Sequence, residues 1–297
     1  MWLAEFIWRF SHLSDEERGW DVTASLVTRR EQKLFRDAVQ AFLDKMKAGL
    51  REGQLVRQLP RAKRSLDSSG TYPNCKIHPE DEASGHSTDL VVERPFVEKS
   101  RPCGRSTRVY IAYDLKERRL VVLKDTWRST FANLRPEAET YRLLRNHDVP
   151  NLPNVLYAGD VKDAGGGNQA TKTPDIVQIY KKWDCRNIPH ETSVYHRIVQ
   201  NIAYPLSEAL DEKEFVQVIW DVLLSKSLHT RVPIARLTDL EAIGKTYECT
   251  GLIHRDISLT NIMITSGGRG IFNDWDMAGE DASHVGLVSK TVYRTLP

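Results

Sequence analysis

Cysteine is scarce in this sequence: Cys75, Cys103, Cys185 and Cys249 are scattered through 297 residues, and no C-x-x-C pair occurs. That excludes a thiolate zinc site of ordinary spacing and gives no disulfide framework. Reduced thiols are the expectation. No run of about 18 apolar residues exists, so nothing in the sequence is expected to span a membrane. The opening segment Met1–Phe10 is apolar, but Glu5 and Arg9 interrupt it, and it has neither a basic n-region nor a small-residue cleavage site. A secretory signal is therefore not indicated, and an intracellular place, cytoplasmic or nuclear, is expected. An excess of charge of one sign is also missing: the net charge is +2. Bulk charge thus points to neither a nucleic-acid nor a membrane partner.

What is present is ordinary globular material, 40% hydrophobic and 28% charged,. Residues 31–48 predict a helix, with Phe35, Val39, Phe42 and Met46 on one face and Gly49 as a stop. The stretch from Arg57 to Glu93 is polar and punctuated by proline and glycine, and reads as a loop or linker. Its basic cluster, Arg57, Arg61, Lys63 and Arg64, reads as a solvated surface run. From Val109 the pattern changes. RVYIAYD alternates as a strand does, Leu115–Arg119 is a charged turn, and Leu120–Lys124 reads as a buried strand. A helix follows Pro136, with Ala138, Tyr141 and Leu144 on its apolar face. VLYAGD and HRIVQNIA are further strands, with a glycine-rich loop over 164–175 between them. Phe215, Val218, Ile219, Val222 and Leu223 mark an amphipathic helix, and Leu240, Ile243 and Tyr247 another. Strands with one helix precede a helix-rich half, so the expected class is α+β.

The chemistry is concentrated near the end. GLIHRDISLTNIMI contains His254-Arg255-Asp256, with Asn261 five residues after the aspartate and Asp274 thirteen residues further on, in IFNDWDMAG. This is the layout of the protein-kinase catalytic loop and metal-binding turn. Phosphoryl transfer asks the protein for positioning and charge neutralisation rather than covalent work. A carboxylate facing the acceptor hydroxyl is needed, and Asp256 suits that. An amide and a second carboxylate suit Mg²⁺, which prefers hard oxygen ligands, and Asn261 and Asp274 provide them. IMI and IF, joined through Gly267, Gly268 and Gly270, predict a hairpin that brings Asn261 and Asp274 together.

The earlier half should supply a lysine for the phosphates and a glutamate to hold it. Lys124 ends an apolar strand. Of Glu137 and Glu139 on the following helix, Glu139 is preferred because Leu143 stands four residues later. A glycine-rich loop is eroded: aligned on Val109, its three glycine positions hold Pro102, Gly104 and Thr107, leaving Gly104 to approach the nucleotide.

With ERGWD, GRSTRVY, VVLKDTW, LIHRDIS-x-x-NIMI and the D-W-D before Met277-Ala278, the sequence resembles the fungal-type protein kinases, a divergent branch of the protein-kinase superfamily. The resemblance implies a bilobal kinase fold: residues 1–95 a helical and linker region, 96–203 the N-lobe, 204–297 a partial C-lobe. It implies ATP and Mg²⁺ as cofactors, Lys124 on the α/β-phosphates with Glu139 as its partner, Asp256 as base, and Asn261 and Asp274 as metal ligands. His254 would be structural. Arg255 would pair with a phosphorylated segment, for which Ser283, Ser289, Thr291, Tyr293 and Thr295 are candidates.

Three departures stand out. Ser258 occupies the place of the lysine usual in Ser/Thr kinases. Asp276 replaces the glycine of D-F-G, and reads as a solvated turn residue, with a metal contact as the other reading. The sequence ends roughly twenty residues after Asp274, so the C-lobe is expected to be incomplete. Pro233 and its surroundings, residues 224–240, interrupt what would be one helix. The leading expectation is an ATP-dependent kinase of protein Ser/Thr. A pseudokinase scaffold and a small-molecule kinase of the choline or aminoglycoside type remain open.

Overall fold

The computed structural model describes residues 2–15, 17–18, 20–49, 72, 74–98, 105–130, 134–172, 192–209, 211–223, 246 and 249–280. Gly104, Pro102, the basic cluster, the 224–240 insertion, the helix expected around Leu240–Tyr247 and the candidate phosphorylation sites lie outside these residues. Two compact units emerge: Met1–Ser129 with Leu156–Gln200, and Thr130–Val155 with Asn201–Pro297. The described elements mix helix and antiparallel sheet, so the class is α+β.

The first unit is built on one 8-stranded sheet. Its strands are β1 (Ala24–Leu26), β2 (Cys75–Ile77), β3 (Leu90–Val92), β4 (Val97–Glu98), β5 (Arg108–Asp114), β6 (Arg119–Ser129), β7 (Val155–Asp160) and β8 (Ser193–Gln200). The order is β1-β2-β3-β5-β6-β8-β7, with β4 also on β5. The stretch read as linker therefore contributes two strands, β2 and β3, to the sheet. Both are only three residues long and set among turn residues, too short for periodicity to reveal. Leu90, Val92, Val121, Leu123 and Val199 form the core of one face.

Two helices flank β1 in the sequence, α1 (Trp2–Ser11) before it and the longer α2 (Arg29–Gly49) after it. A capping box starts α2. The Thr28 hydroxyl accepts from the Glu31 N–H at 3.2 Å, and the Glu31 carboxylate accepts from the Thr28 N–H at 2.8 Å,. Phe35, Val39 and Leu43 are its buried stripe. Leu43 takes the place expected of Phe42, one position round the helix.

β6 runs to Ser129, five residues past the expected end at Lys124. The reason is charge matching. Asp125 lies opposite Arg197 in the β6–β8 register, and a charge with its counter-charge across the ladder can be buried. The Arg197 Nε donates to Asp125 at 2.9 Å, one terminal nitrogen to Asp21 at 2.5 Å and the other to the Thr23 hydroxyl at 2.7 Å. The Tyr195 hydroxyl donates to Asp125 at 2.7 Å. The ERGWD, VVLKDTW and YHRIV segments, far apart in the chain, thus meet on one buried guanidinium. GRSTRVY joins them through its backbone, since the Trp127 N–H donates to the Arg105 carbonyl at 2.8 Å.

The second unit carries α3 (Glu137–Asn146) and α4 (Glu212–Leu223). It also carries β9 (Ala203–Pro205), β10 (Leu252–Ile253), β11 (Ile262–Thr265), β12 (Gly270–Phe272) and β13 (Gly279–Glu280). Pro136 stands at the N-cap of α3 rather than at its first helical position, and Ala138, Tyr141 and Leu144 are buried as expected. On α4, Val218 and Val222 are buried while Phe215 is exposed. The expected hairpin forms: β11 and β12 pair antiparallel, with β9 on the other side of β11. α4 lies so close to the hairpin that a Cβ on Gly270 would sit 2.3 Å from the Val218 carbonyl oxygen. The Gly270 N–H donates to the buried Asp221 carboxylate at 2.9 Å, which fixes this approach.

Candidate active site

β10 delivers the chain into the His254-Arg255-Asp256 loop, and β13 pairs back onto it with Ile253 opposite Gly279. Between them lie a 3-10 turn at Leu259–Asn261, the β11–β12 hairpin, and a second 3-10 turn at Trp275–Met277. Two residues take left-handed backbone, Arg255 at φ 66° and Asp274 at φ 65°. Non-glycine residues adopt that region rarely, and it recurs where a side chain must be aimed.

His254 organises the centre. It is buried, with its ring 4.1 Å from Phe272 and edge-on to Trp275 at 4.6 Å. Nε2 lies 3.0 Å from the Asn273 carbonyl oxygen, and Nδ1 accepts from the Asp256 N–H at 3.2 Å. One nitrogen must donate and the other accept, so the neutral tautomer with the proton on Nε2 is the one that fits. Burial pushes the imidazole below its ordinary value, against the opposing pull of the Asn273 carbonyl and of Asp274 and Asp256,. The ring thereby ties the backbone of Asp256 to the residue preceding Asp274.

Asn261 makes the next connection. Its Nδ2 donates to the Asp256 carbonyl at 2.9 Å and to the Asp256 carboxylate at 3.2 Å. The Asn273 N–H donates to the Asn261 carbonyl at 2.8 Å. Asp256 itself is exposed, so its carboxylate is open to a reactant. Tyr141, reaching from α3, donates to the Asn273 side-chain oxygen at 2.8 Å and accepts the Asp274 N–H at 3.2 Å.

Asp256, Asn261 and Asp274 are therefore brought together within the second unit. Carboxylate oxygens of Glu137, Asp274 and Asp276 all lie within 4.8 Å of one another. Carboxylates gathered this closely are the kind of hard oxygen donor Mg²⁺ uses, with waters or phosphate oxygens completing its octahedral shell. Asp276, expected as a solvated turn residue, is half-buried and belongs to this cluster. On α3, Glu137 is buried and Glu139 exposed. Two residues apart on a helix, they face different ways, and it is Glu137 that turns toward Asp274. The signal was available: Glu137 stands four residues before Tyr141, on the apolar stripe. Lys124 lies in the first unit, half-buried on β6 and paired in register with Val109 and Ile198. It points away from Leu123 and the core face, by the strand's alternation. Ser258 uses its hydroxyl locally, 2.7 Å from that of Thr260.

The Arg255 side chain lies over Gly279. A Cβ there would be 2.6 Å from one terminal nitrogen and 2.7 Å from the guanidinium carbon. Nothing in the spacing of Gly279 and Asn273 marks them, and the spacing of Tyr141 marks only a core position of its helix. Among the described residues no helix is long and apolar enough to cross a membrane.

No protein of curated function matches the chain. Among solved structures, the ROP18 kinase domain in complex with AMP-PNP and sucrose aligns over 83% of this chain and 66% of its own length, with 14% identity and a TM-score of 0.36. The family model described as fungal protein kinase matches residues 64–234. That span holds GRSTRVY, VVLKDTW and the Arg197 strand, and it ends before the His254–Asp276 motifs. It covers more than half of the chain, and with those motifs downstream it places the protein in the fungal protein kinase family.

Proposed function

We propose that the protein transfers the γ-phosphoryl group of ATP to a Ser/Thr hydroxyl of a protein substrate, with Mg²⁺ as cofactor. The observation that carries this is the His254 bridge. One imidazole ties the Asp256 N–H to the carbonyl before Asp274, holding an exposed carboxylate in fixed relation to the carboxylate cluster. In this reading the Asp256 carboxylate accepts the proton of the acceptor hydroxyl. The Asn261 amide holds that carboxylate in its rotamer. Asp274, Asp276 and Asn261 would hold Mg²⁺, with Glu137 as the third carboxylate of the cluster, and the ion would supply neutralisation of the phosphate charge. Lys124 is assigned to the phosphates by its motif.

The exposure of Asp256 suits a macromolecular acceptor better than an enclosed small molecule. Transfer of labelled γ-phosphate from Mg-ATP tests the proposal, to a mixed protein substrate, to the protein itself, and to amino alcohols and aminoglycosides. Incorporation into protein that Asp256→Asn abolishes is the expected result. Label only in the small molecules would refute the protein-acceptor assignment. No incorporation by folded wild-type protein would refute the activity itself and favour a scaffold role.

A further inference from the structure

We infer that the Tyr141 hydroxyl is a positioning group that holds Asp274 in its metal-facing conformation. The inference rests on the proposed Mg²⁺ site. Asp274 stands at φ 65°, ψ 57°, a left-handed geometry uncommon outside glycine, although aspartate tolerates it better than most residues. Two hydrogen bonds at one oxygen fix the turn in that geometry here. The hydroxyl proton goes to the Asn273 side chain at 2.8 Å, and the oxygen lone pair receives the Asp274 N–H at 3.2 Å. A tyrosine hydroxyl offers one donor and an acceptor site, and both are used.

Tyr141 itself is a core side chain. It is 1% exposed and lies on the face of α3 that also carries Glu137, one turn earlier. The same helix therefore presents a carboxylate to the cluster and a clamp to the backbone of the turn that bears Asp274. An apolar residue at 141 would fill the space and leave the turn without this clamp. The inference assigns the clamp to the oxygen alone.

Tyr141→Phe removes that oxygen and keeps the ring packing. The full chain is titrated with Mn²⁺, read by the loss of the free-ion paramagnetic signal, with and without a non-hydrolysable ATP analogue. About tenfold weaker Mn²⁺ binding is expected, the scale of one or two net hydrogen bonds. Asn273→Ala, which removes the acceptor of the hydroxyl proton and keeps the Tyr141 oxygen, should weaken it by about threefold. In the transfer assay the Mg²⁺ requirement should rise by about the same factor, with the rate restored at saturating Mg²⁺. Wild-type Mn²⁺ affinity in a folded Tyr141→Phe protein would overturn the inference, as would wild-type protein that binds no Mn²⁺. A wild-type protein that binds Mn²⁺ but transfers no phosphate would instead refute the proposed activity, and the Mn²⁺ difference between the variants would still support the clamp.

Discussion

Each unit of this protein buries carboxylates, and they do opposite things with them. In the first unit Asp125 and Asp21 surround Arg197, and Asp160 lies between Arg128 and His196. Burial alone would raise the Asp160 pKa, but Arg128 and His196 outweigh it and hold the group well below its ordinary value. In the second unit Glu137, Asp274 and Asp276 converge on one another. Asp125 and Glu137 are equally buried, at 3% exposure, so burial does not separate the two cases. The neighbour does. A carboxylate facing a guanidinium ties strands to one another; carboxylates gathered together are, in the proposed function, the place for a cation.

The largest effect should come from breaking the second arrangement. Asp274→Asn is expected to lower phosphate transfer by about a thousandfold, about 4 kcal/mol of transition-state stabilisation. The melting temperature should hold or rise, because one like-charge repulsion is relieved. Loss of activity together with a large fall in melting temperature would mean that the cluster is structural after all. Breaking the first arrangement should do the reverse. Arg197→Ala leaves the buried Asp125 without its direct ion-pair partner, and urea unfolding should show a loss of about 3 kcal/mol, the lower end for such sites because Arg108 stands opposite Asp125 in the β5–β6 register,. A loss below about 1 kcal/mol would show that the network contributes little, as exposed ion pairs do.

The two arrangements differed just as much in how legible they were. The catalytic loop could be read from spacing, because phosphoryl transfer demands particular residue types at particular intervals, and the hairpin between Asn261 and Asp274 followed from two short apolar runs. The Arg197 network could not. Its members, Asp21, Asp125 and Arg197, are separated by most of the first unit, and pairing at such distances leaves no local period. The strands β2 and β3 escaped for a related reason, since three residues are too few to alternate. That Glu137 is buried and Glu139 exposed was legible from the apolar stripe of Ala138, Tyr141 and Leu144, which Glu137 shares.

A smaller effect would sharpen the role of the loop beside Asp256. Gly279→Ala places a methyl group where the Arg255 guanidinium now lies. The clash is with the end of a flexible side chain, so the fold should tolerate it and Arg255 should move. Transfer is expected to fall by about tenfold, about 1.4 kcal/mol. In an Arg255→Ala background the same substitution should cost nothing, because its obstacle is gone. Full additivity of the two changes would disconnect Gly279 from Arg255.

The smallest effect separates the units by pH. In the folded protein His254 lies below its ordinary value of 6.5, because burial disfavours the charged ring by more than the Asn273 carbonyl and the nearby carboxylates favour it. The unfolded chain takes up that proton near 6.5 while the folded chain does not. Stability from this group is therefore fully present above that pH and declines as pH falls toward the lowered folded value, by at most about 1.4 kcal/mol per pH unit. Asp160 and Asp21 also have lowered values, but their unfolded reference is 3.8, so their contribution persists until pH falls below about 4. Urea unfolding at pH 7 and pH 5.5 should then show a loss of stability at the lower pH that His254→Gln removes and Arg197→Ala leaves in place. An equal loss in the His254→Gln protein would assign the acid sensitivity to another group and leave the central imidazole without an energetic role in this range.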